Sequence, residues 1–227
     1  MCRIASARVR RWAVMALSVA LFACGVGLPS SARVVDRIVA FVNSEVLTQG
    51  DLTRLVDEHI RALRVYERRT PEDARAIAES RMGELLDTLI ASTLLEQEAR
   101  RQEQEDPTLQ VTQIMLDDKI SQFRRQNGLN VDEEFATALR DQGYTVSSFR
   151  REMLRNARIE DLFRREIVPR LSVTDDEVIA YHEANADRVA DKDEARNMLR
   201  EARFGEERQK YIDALRKKSF VKILAEF

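Results

Sequence analysis

Strand-forming sequence occurs at only two places in this chain, near its two ends, and everything between reads as helix. Residues 34–48, VVDRIVAFVNSEVLT, run as an apolar strand into a polar corner and a second short strand. At the far end FVKIL, residues 220–224, alternates and is rich enough in β-branched residues to form a strand. A lone terminal strand leaves its backbone groups unpaired, so the expectation is a small sheet joining residues 34–48 to a C-terminal strand at about 219–224. A chain closed in this way is also open to domain swapping, in which the closing segment of one copy completes another.

The first helix begins where the second strand ends. Thr48 is a favourable N-cap, and Asp51 follows three residues later, where an acid suits the positive helix end. Leu52, Leu55, Val56, Ile60 and Leu63 then form an apolar stripe to about Arg68. Thr70-Pro71 ends this helix and starts the next, proline being tolerated in a first turn. The periodicity of Met82, Leu85, Leu86, Leu89, Ile90, Leu94 and Leu95 predicts a single helix from about Glu72 to Arg101. At this length it would be about 45 Å long, a spine for other helices.

Asp106-Pro107 breaks the spine, and Val111-Thr112 opens a helix carrying Leu116, Ile120 and Phe123 that stops at Asn127-Gly128. A short helix over 132–142 presents Phe135, Ala138 and Leu139 and stops at Gly143. Thr145 or Ser147 caps the next helix, which continues to about Val168 and ends at Pro169. Thr174 with Glu177 three residues on is a capping box opening a helix to about Ala186. After a polar junction at 187–192, two helical pieces are expected, Asp193–Arg203 and Glu206–Lys217, interrupted at Phe204-Gly205. The fold class is therefore mainly α with one small sheet.

Residues 1–32 read as an export segment rather than fold. Arg3, Arg8, Arg10 and Arg11 precede the apolar run Trp12 to Phe22, which is shorter than the roughly 20 residues a membrane span needs. Ser30-Ser31-Ala32 offers cleavage after Ala32, whereas Leu21-Phe22-Ala23-Cys24 resembles a lipobox that would lipidate Cys24 and tether the protein to a membrane. Removing 1–32 takes away four Arg and no acid, moving the formal net charge from −2 to −6. An acidic mature chain argues against a nucleic-acid partner, because phosphates demand a basic surface. The only cysteines, Cys2 and Cys24, lie in this segment, so packing rather than a disulfide must stabilise residues 33–227.

The stretch VVDRIVAFVNSEVLTQGDLTR, residues 34–54, resembles the opening of SurA-type periplasmic chaperones and their parvulin relatives. LLDTLIASTLLEQEARRQ, residues 85–102, is similar to the long helix that follows it. Residues 121–142, with the NGL turn and a Phe-Ala-x-x-Leu-x-x-Gln-Gly pattern, continue in register, as do Ser147-Phe149-Arg150 and LSVTDDEV at 171–178. RFGEERQKYIDALRKKSFVKIL, residues 203–224, is similar to the family's closing helix and strand. The resemblance implies a chaperone domain over 33–227, with a helical part to 186 and a closing part over 187–227. Family members usually carry parvulin isomerase domains of about a hundred residues between the DDEV helix and the closing segment, where this chain has only the junction at 187–192. The expectation is thus a periplasmic, ATP-independent holdase for unfolded polypeptides, outer-membrane proteins among them, without isomerase activity.

The side chains offer little else for chemistry. His59 and His182 are the only histidines and lie far apart in sequence, and no glycine-rich phosphate loop appears. The acids at 117–118, 132–134 and 175–177 sit at or near helix starts, where capping and dipole roles account for them. No catalytic residue, metal or cofactor is expected. A chaperone instead needs exposed apolar surface, and methionine adapts well to varied partners. Met115, Phe123, Phe149, Met153 and Phe163 are the residues expected to line a peptide-binding surface; the alternative for each is ordinary core. Two rival roles stay open at this point, an envelope scaffold gripping one folded partner and a lipid-anchored foldase accessory.

Overall fold

The computed structural model describes residues 36–225, so the expected cleavage after Ala32 and the expected lipidation of Cys24 lie outside the described residues. Among the described residues three strands and eight α-helices follow one another. β1 (Ile38–Val42) and β2 (Glu45–Thr48) form a hairpin, and β3 (Val221–Ile223) pairs antiparallel with the other edge of β1, giving the order β2-β1-β3. The two ends of the described chain therefore meet in one sheet. Asn43 makes the corner with a left-handed φ of 54°, a conformation asparagine tolerates better than most residues. Its N–H donates to the Phe220 carbonyl at 2.7 Å, and its side-chain oxygen accepts from the Phe220 N–H at 2.9 Å. A bulge between Ile38 and Ala40 lets the adjacent residues Val39 and Ala40 both be buried, where regular alternation would expose one of them.

Helix α1 (Gln49–Tyr66) starts at a reciprocal capping box between Thr48 and Asp51. α2 (Pro71–Ser80) starts at Thr70 with proline in its first turn. The single spine expected over 72–101 is in fact two helices, α2 and α3 (Met82–Glu105), parted at Arg81. There the Ser80 hydroxyl donates to the Ile77 carbonyl, and Gly83 weakens the first turn beyond. Serine back-bonding and glycine together favour a break at this point. α2 buries Ala74 and Ala78 and packs mainly on α1, leaving α3, at 24 residues, as the spine.

α4 (Gln113–Gln126), α5 (Asp132–Asp141) and α6 (Val146–Glu166) follow, with Thr145 rather than Ser147 as the cap of α6. α7 (Asp175–Ala184) opens with the Thr174/Glu177 capping box. α8 (Lys192–Lys218) corrects a second expectation, since it runs unbroken through Phe204-Gly205. Glycine costs a helix interior about 1 kcal/mol relative to alanine. Here Phe204 packs edge-on against Phe163 of α6 at 5.7 Å, and Ala195 and Ile212 bury the helix in two separate clusters on either side.

Four apolar clusters hold these elements. The largest joins the sheet to Leu52 of α1 and to Leu85, Leu86, Leu89, Ile90 and Leu94 of α3. A second, one step along the spine, brings Leu95 and Ala99 of α3 against Leu162 of α6 and Ile212 of α8. A third, the α4–α5 lobe, gathers Leu116, Ile120, Phe135 and Leu139 around the first half of α6. The fourth joins Val178 of α7 to Ala195 of α8 through Val189. The helix α6 thus spans two clusters, its first half in the lobe and its second half on the spine.

Candidate functional site

The lobe is where aromatic surface remains open. Phe149 stands at its centre, with its ring centroid 5.1 Å from Phe123, 5.6 Å from Phe135 and 6.4 Å from Tyr144. The Phe135 and Tyr144 contacts are edge-on, the arrangement in which the positive rim of one ring meets the negative face of another. The Arg124 guanidinium lies 4.9 Å from the Phe135 ring centre and fixes the following loop through the Leu129 and Asn130 carbonyls. Short helices around so many rings leave the space incompletely filled. A cavity of about 490 Å³ remains, walled by Phe123, Leu129, Leu139, Tyr144, Phe149 and Met153.

The five residues expected at the site are placed unequally. Phe123, Phe149 and Met153, all half-buried, line this cavity together. Met115 is 43% exposed on the first turn of α4 and does not line it. Phe163 lies in the junction of α3, α6 and α8, packed on Phe204. Leu129 and Tyr144 complete the wall without having stood out in the sequence. Leu129 follows the Asn127-Gly128 stop and Tyr144 follows Gly143, so both look like loop residues there.

A second space adjoins the first. Between α1, α3 and α6 runs a groove of about 920 Å³ lined by charged side chains of both signs, including Glu58 and Arg61 of α1, Arg100 of α3 and Arg151 of α6. Polar contacts tie α3 to α6 beside it. Arg158 grips Glu103, whose side chain is 8% exposed, at 2.9–3.0 Å. Arg155 Nη2 donates to Ser92 at 2.7 Å, while its Nε lies 3.1 Å from Glu96 Oε2 but off the hydrogen-bond axis, an ion pair without a directed bond. Gln102 accepts from Arg165 and donates to Glu166. A buried carboxylate such as Glu103 is tolerable only when paired in this way.

Tyr144 stands where the two spaces meet. Gly143 takes a φ of 80°, open to glycine at little cost, which lets the Gly143 N–H donate to the Arg140 carbonyl and the Tyr144 N–H to that of Leu139. The Tyr144 hydroxyl donates to Glu58 Oε1 across 86 positions of sequence. Burial, and then the Glu58 carboxylate, push the Tyr144 phenol up to about 12.

This arrangement can hold an apolar side chain and polar backbone together. His59 is half-buried, and its Nε2 is enclosed with no hydrogen-bond partner. Among the described residues no group of three His, Cys, Asp or Glu side chains is placed to hold a metal ion. Nor is any described helix long and apolar enough to cross a membrane.

Comparison with known proteins bears on the whole of this region. The family described as the SurA N-terminal domain matches residues 35–162. Chaperone SurA of Alcanivorax borkumensis is 29% identical over 164 residues, 71% of this chain, and Chaperone SurA of Thiobacillus denitrificans is 29% identical over 187 residues, 81% of this chain. Chaperone SurA of Cupriavidus pinatubonensis is 30% identical over 161 residues, 69% of this chain. The aligned parts make up only 35%, 39% and 30% of those three proteins respectively. Among solved structures, a SurA-like chaperone of Campylobacter jejuni aligns over 84% of this chain and all of that one, with a TM-score of 0.46 and 15% identity, too loose a likeness to carry an argument. The match to 35–162 takes in the hairpin, the spine, the lobe and most of α6, and by it the chain belongs to the SurA N-terminal domain family.

Proposed function

We propose that this chain is an ATP-independent holdase of the periplasm that binds unfolded polypeptides, outer-membrane proteins in transit among them, without isomerising their prolines. The observation that carries the reading is the open cavity of the lobe, in which Phe123, Phe149 and Met153 leave apolar surface that folding has not filled. Unfilled apolar surface of this kind gains by covering itself with another chain's apolar side chains, and a flexible methionine in the wall accepts many shapes. The naming of its relatives as chaperones agrees with this use. The basic and then apolar character of residues 1–32 supports export, with Ala32 as the cleavage position and Cys24 as the rival anchoring position.

The absence of isomerase activity rests on one connection. Where the resemblance would place a parvulin domain, α7 passes to α8 through residues 185–191. Binding itself needs no cofactor, because burial of apolar surface supplies the driving force.

The test is light scattering of a denatured outer-membrane β-barrel protein diluted into buffer with and without this chain. Suppression of aggregation at near-stoichiometric ratio and without ATP is the expected result. Unchanged aggregation at severalfold excess would overturn the reading and favour a scaffold for one folded partner, to be sought by pull-down. Turnover in a proline-switch peptide assay would overturn the part that denies isomerisation.

A further inference from the structure

The lobe cavity and the charged groove are separate spaces with a shared wall, since Gln142, Tyr144 and Glu152 line both. Tyr144 belongs to each by a different end. Its ring meets Phe149 edge-on inside the apolar cavity, while its hydroxyl reaches Glu58 at the rim of the groove. Among the described residues this is the one hydrogen bond or ion pair that joins α1 to the segment from α5 to α6. The residue beside it, Gly143, has a φ of 80° in a region open to glycine, and α6 has its own cap at Thr145. The contact is thus a single bond next to a permissive joint.

The groove beyond it is suited to polypeptide rather than to a small ion of one sign. Arg61 and Arg151 line it, as do Asp57 and Glu152, and none of these four takes part in an ion pair among the described residues. Both signs are therefore free to meet side chains and backbone dipoles of a bound segment.

We propose that Tyr144 and Glu58 form a latch across the binding cleft, and that its opening merges cavity and groove so that one extended polypeptide segment occupies both. The segment it selects carries a large apolar side chain, seated against Phe149 and Met153, with charged or polar residues beside it lying along the groove. This inference rests on the holdase reading and adds to it both the class of segment and the element that admits it. A closed latch excludes such a segment from half its contacts, so each molecule must break the bond before binding fully, and the apparent affinity falls by the fraction closed.

Fluorescence anisotropy tests this with two labelled peptides on the full chain. One is an extended fifteen-residue peptide with a central Phe flanked by Lys and Asp; the other is a blocked five-residue apolar peptide that fits the cavity alone. Tyr144→Phe removes only the hydroxyl and keeps the ring, and Glu58→Ala removes the acceptor from the helix surface. In each single variant the long peptide should tighten three- to tenfold relative to the short one. The double variant should do no more than either single one, because both act through one contact. Unchanged or weaker binding of the long peptide in both single variants, or effects that add in the double, would overturn the latch while leaving the holdase reading in place. Failure of either peptide to bind any form would overturn both.

Discussion

Around the sheet, Val39, Ala40, Val42, Leu52 and Ile90 are all 0–1% exposed, whereas in the α4–α5 lobe no side chain is so completely enclosed and the rings of Phe123 and Phe149 are only partly buried. The two regions are built from different residues. Aliphatic side chains on a strand face and on successive turns of one long helix interdigitate closely. Aromatic rings on three shorter helices meet tilted or edge-on and leave gaps between their planes. One region is closed and joins the two ends of the described residues through β3. The other is open, and for a holdase that openness is its use. Under the proposed reading, stability falls to the sheet and spine and client binding to the lobe.

Substitutions can break this division, beginning where the effect is largest. Ile90→Ala should cost about 3 kcal/mol in chemical denaturation, since a fully enclosed side chain leaves a cavity. The fraction that stays folded should still suppress aggregation, and loss of holding by that folded fraction would blur the division. Arg158→Ala strands the carboxylate of Glu103 between α3 and α6 and should cost about 2 kcal/mol, below the range for fully buried pairs because Arg158 keeps part of its surface in water. The same denaturation series measures it. Met153→Ala should show the opposite balance, with a stability loss of about 1 kcal/mol for a half-buried methionine and a clear fall in aggregation suppression per folded molecule.

The smallest effect expected is an alkaline one. Tyr144 holds its proton up to about 12 in the folded chain, against about 10 when unfolded. Its contribution to stability is therefore complete below about pH 10 and is lost as the pH rises toward about 12. Thermal melts across that window should show a downward step that is reduced in Tyr144→Phe. An equal step in the variant would assign the loss to other groups.

What could be read from the sequence was local or periodic. The caps at Thr48 and Thr174 announce themselves because the residues that bond are three apart, and the apolar repeat from Leu85 to Leu95 marks the buried face of α3. The pairing of β3 with β1 followed from the need of a terminal strand for a partner. The break at Arg81 was hidden because Ser80 and Gly83 are each compatible with a continuing helix, and they favour a break only acting together beside the packing of α2 on α1. The continuity through Gly205 was hidden for the converse reason, that Phe163, forty-one residues away, steadies Phe204. At the site, helical spacing places Phe149 and Met153 on one face, yet nothing local distinguishes Phe163, which the fold turns toward α8. The partnership of Tyr144 with Glu58 has no local signature at all, since neither residue is unusual in its own segment.

The most direct measurement places a photo-crosslinking benzoylphenylalanine at Met153 in one sample and at Phe163 in another, with an unfolded outer-membrane polypeptide as the target. The two positions lie on the same helix, one in the open lobe and one in the closed junction. Strong crosslinking from 153 and little from 163 is expected if clients are held in the lobe. Equal crosslinking from both, or none from 153 while aggregation is still suppressed, would place client binding elsewhere and refute the division between an open lobe and a closed core.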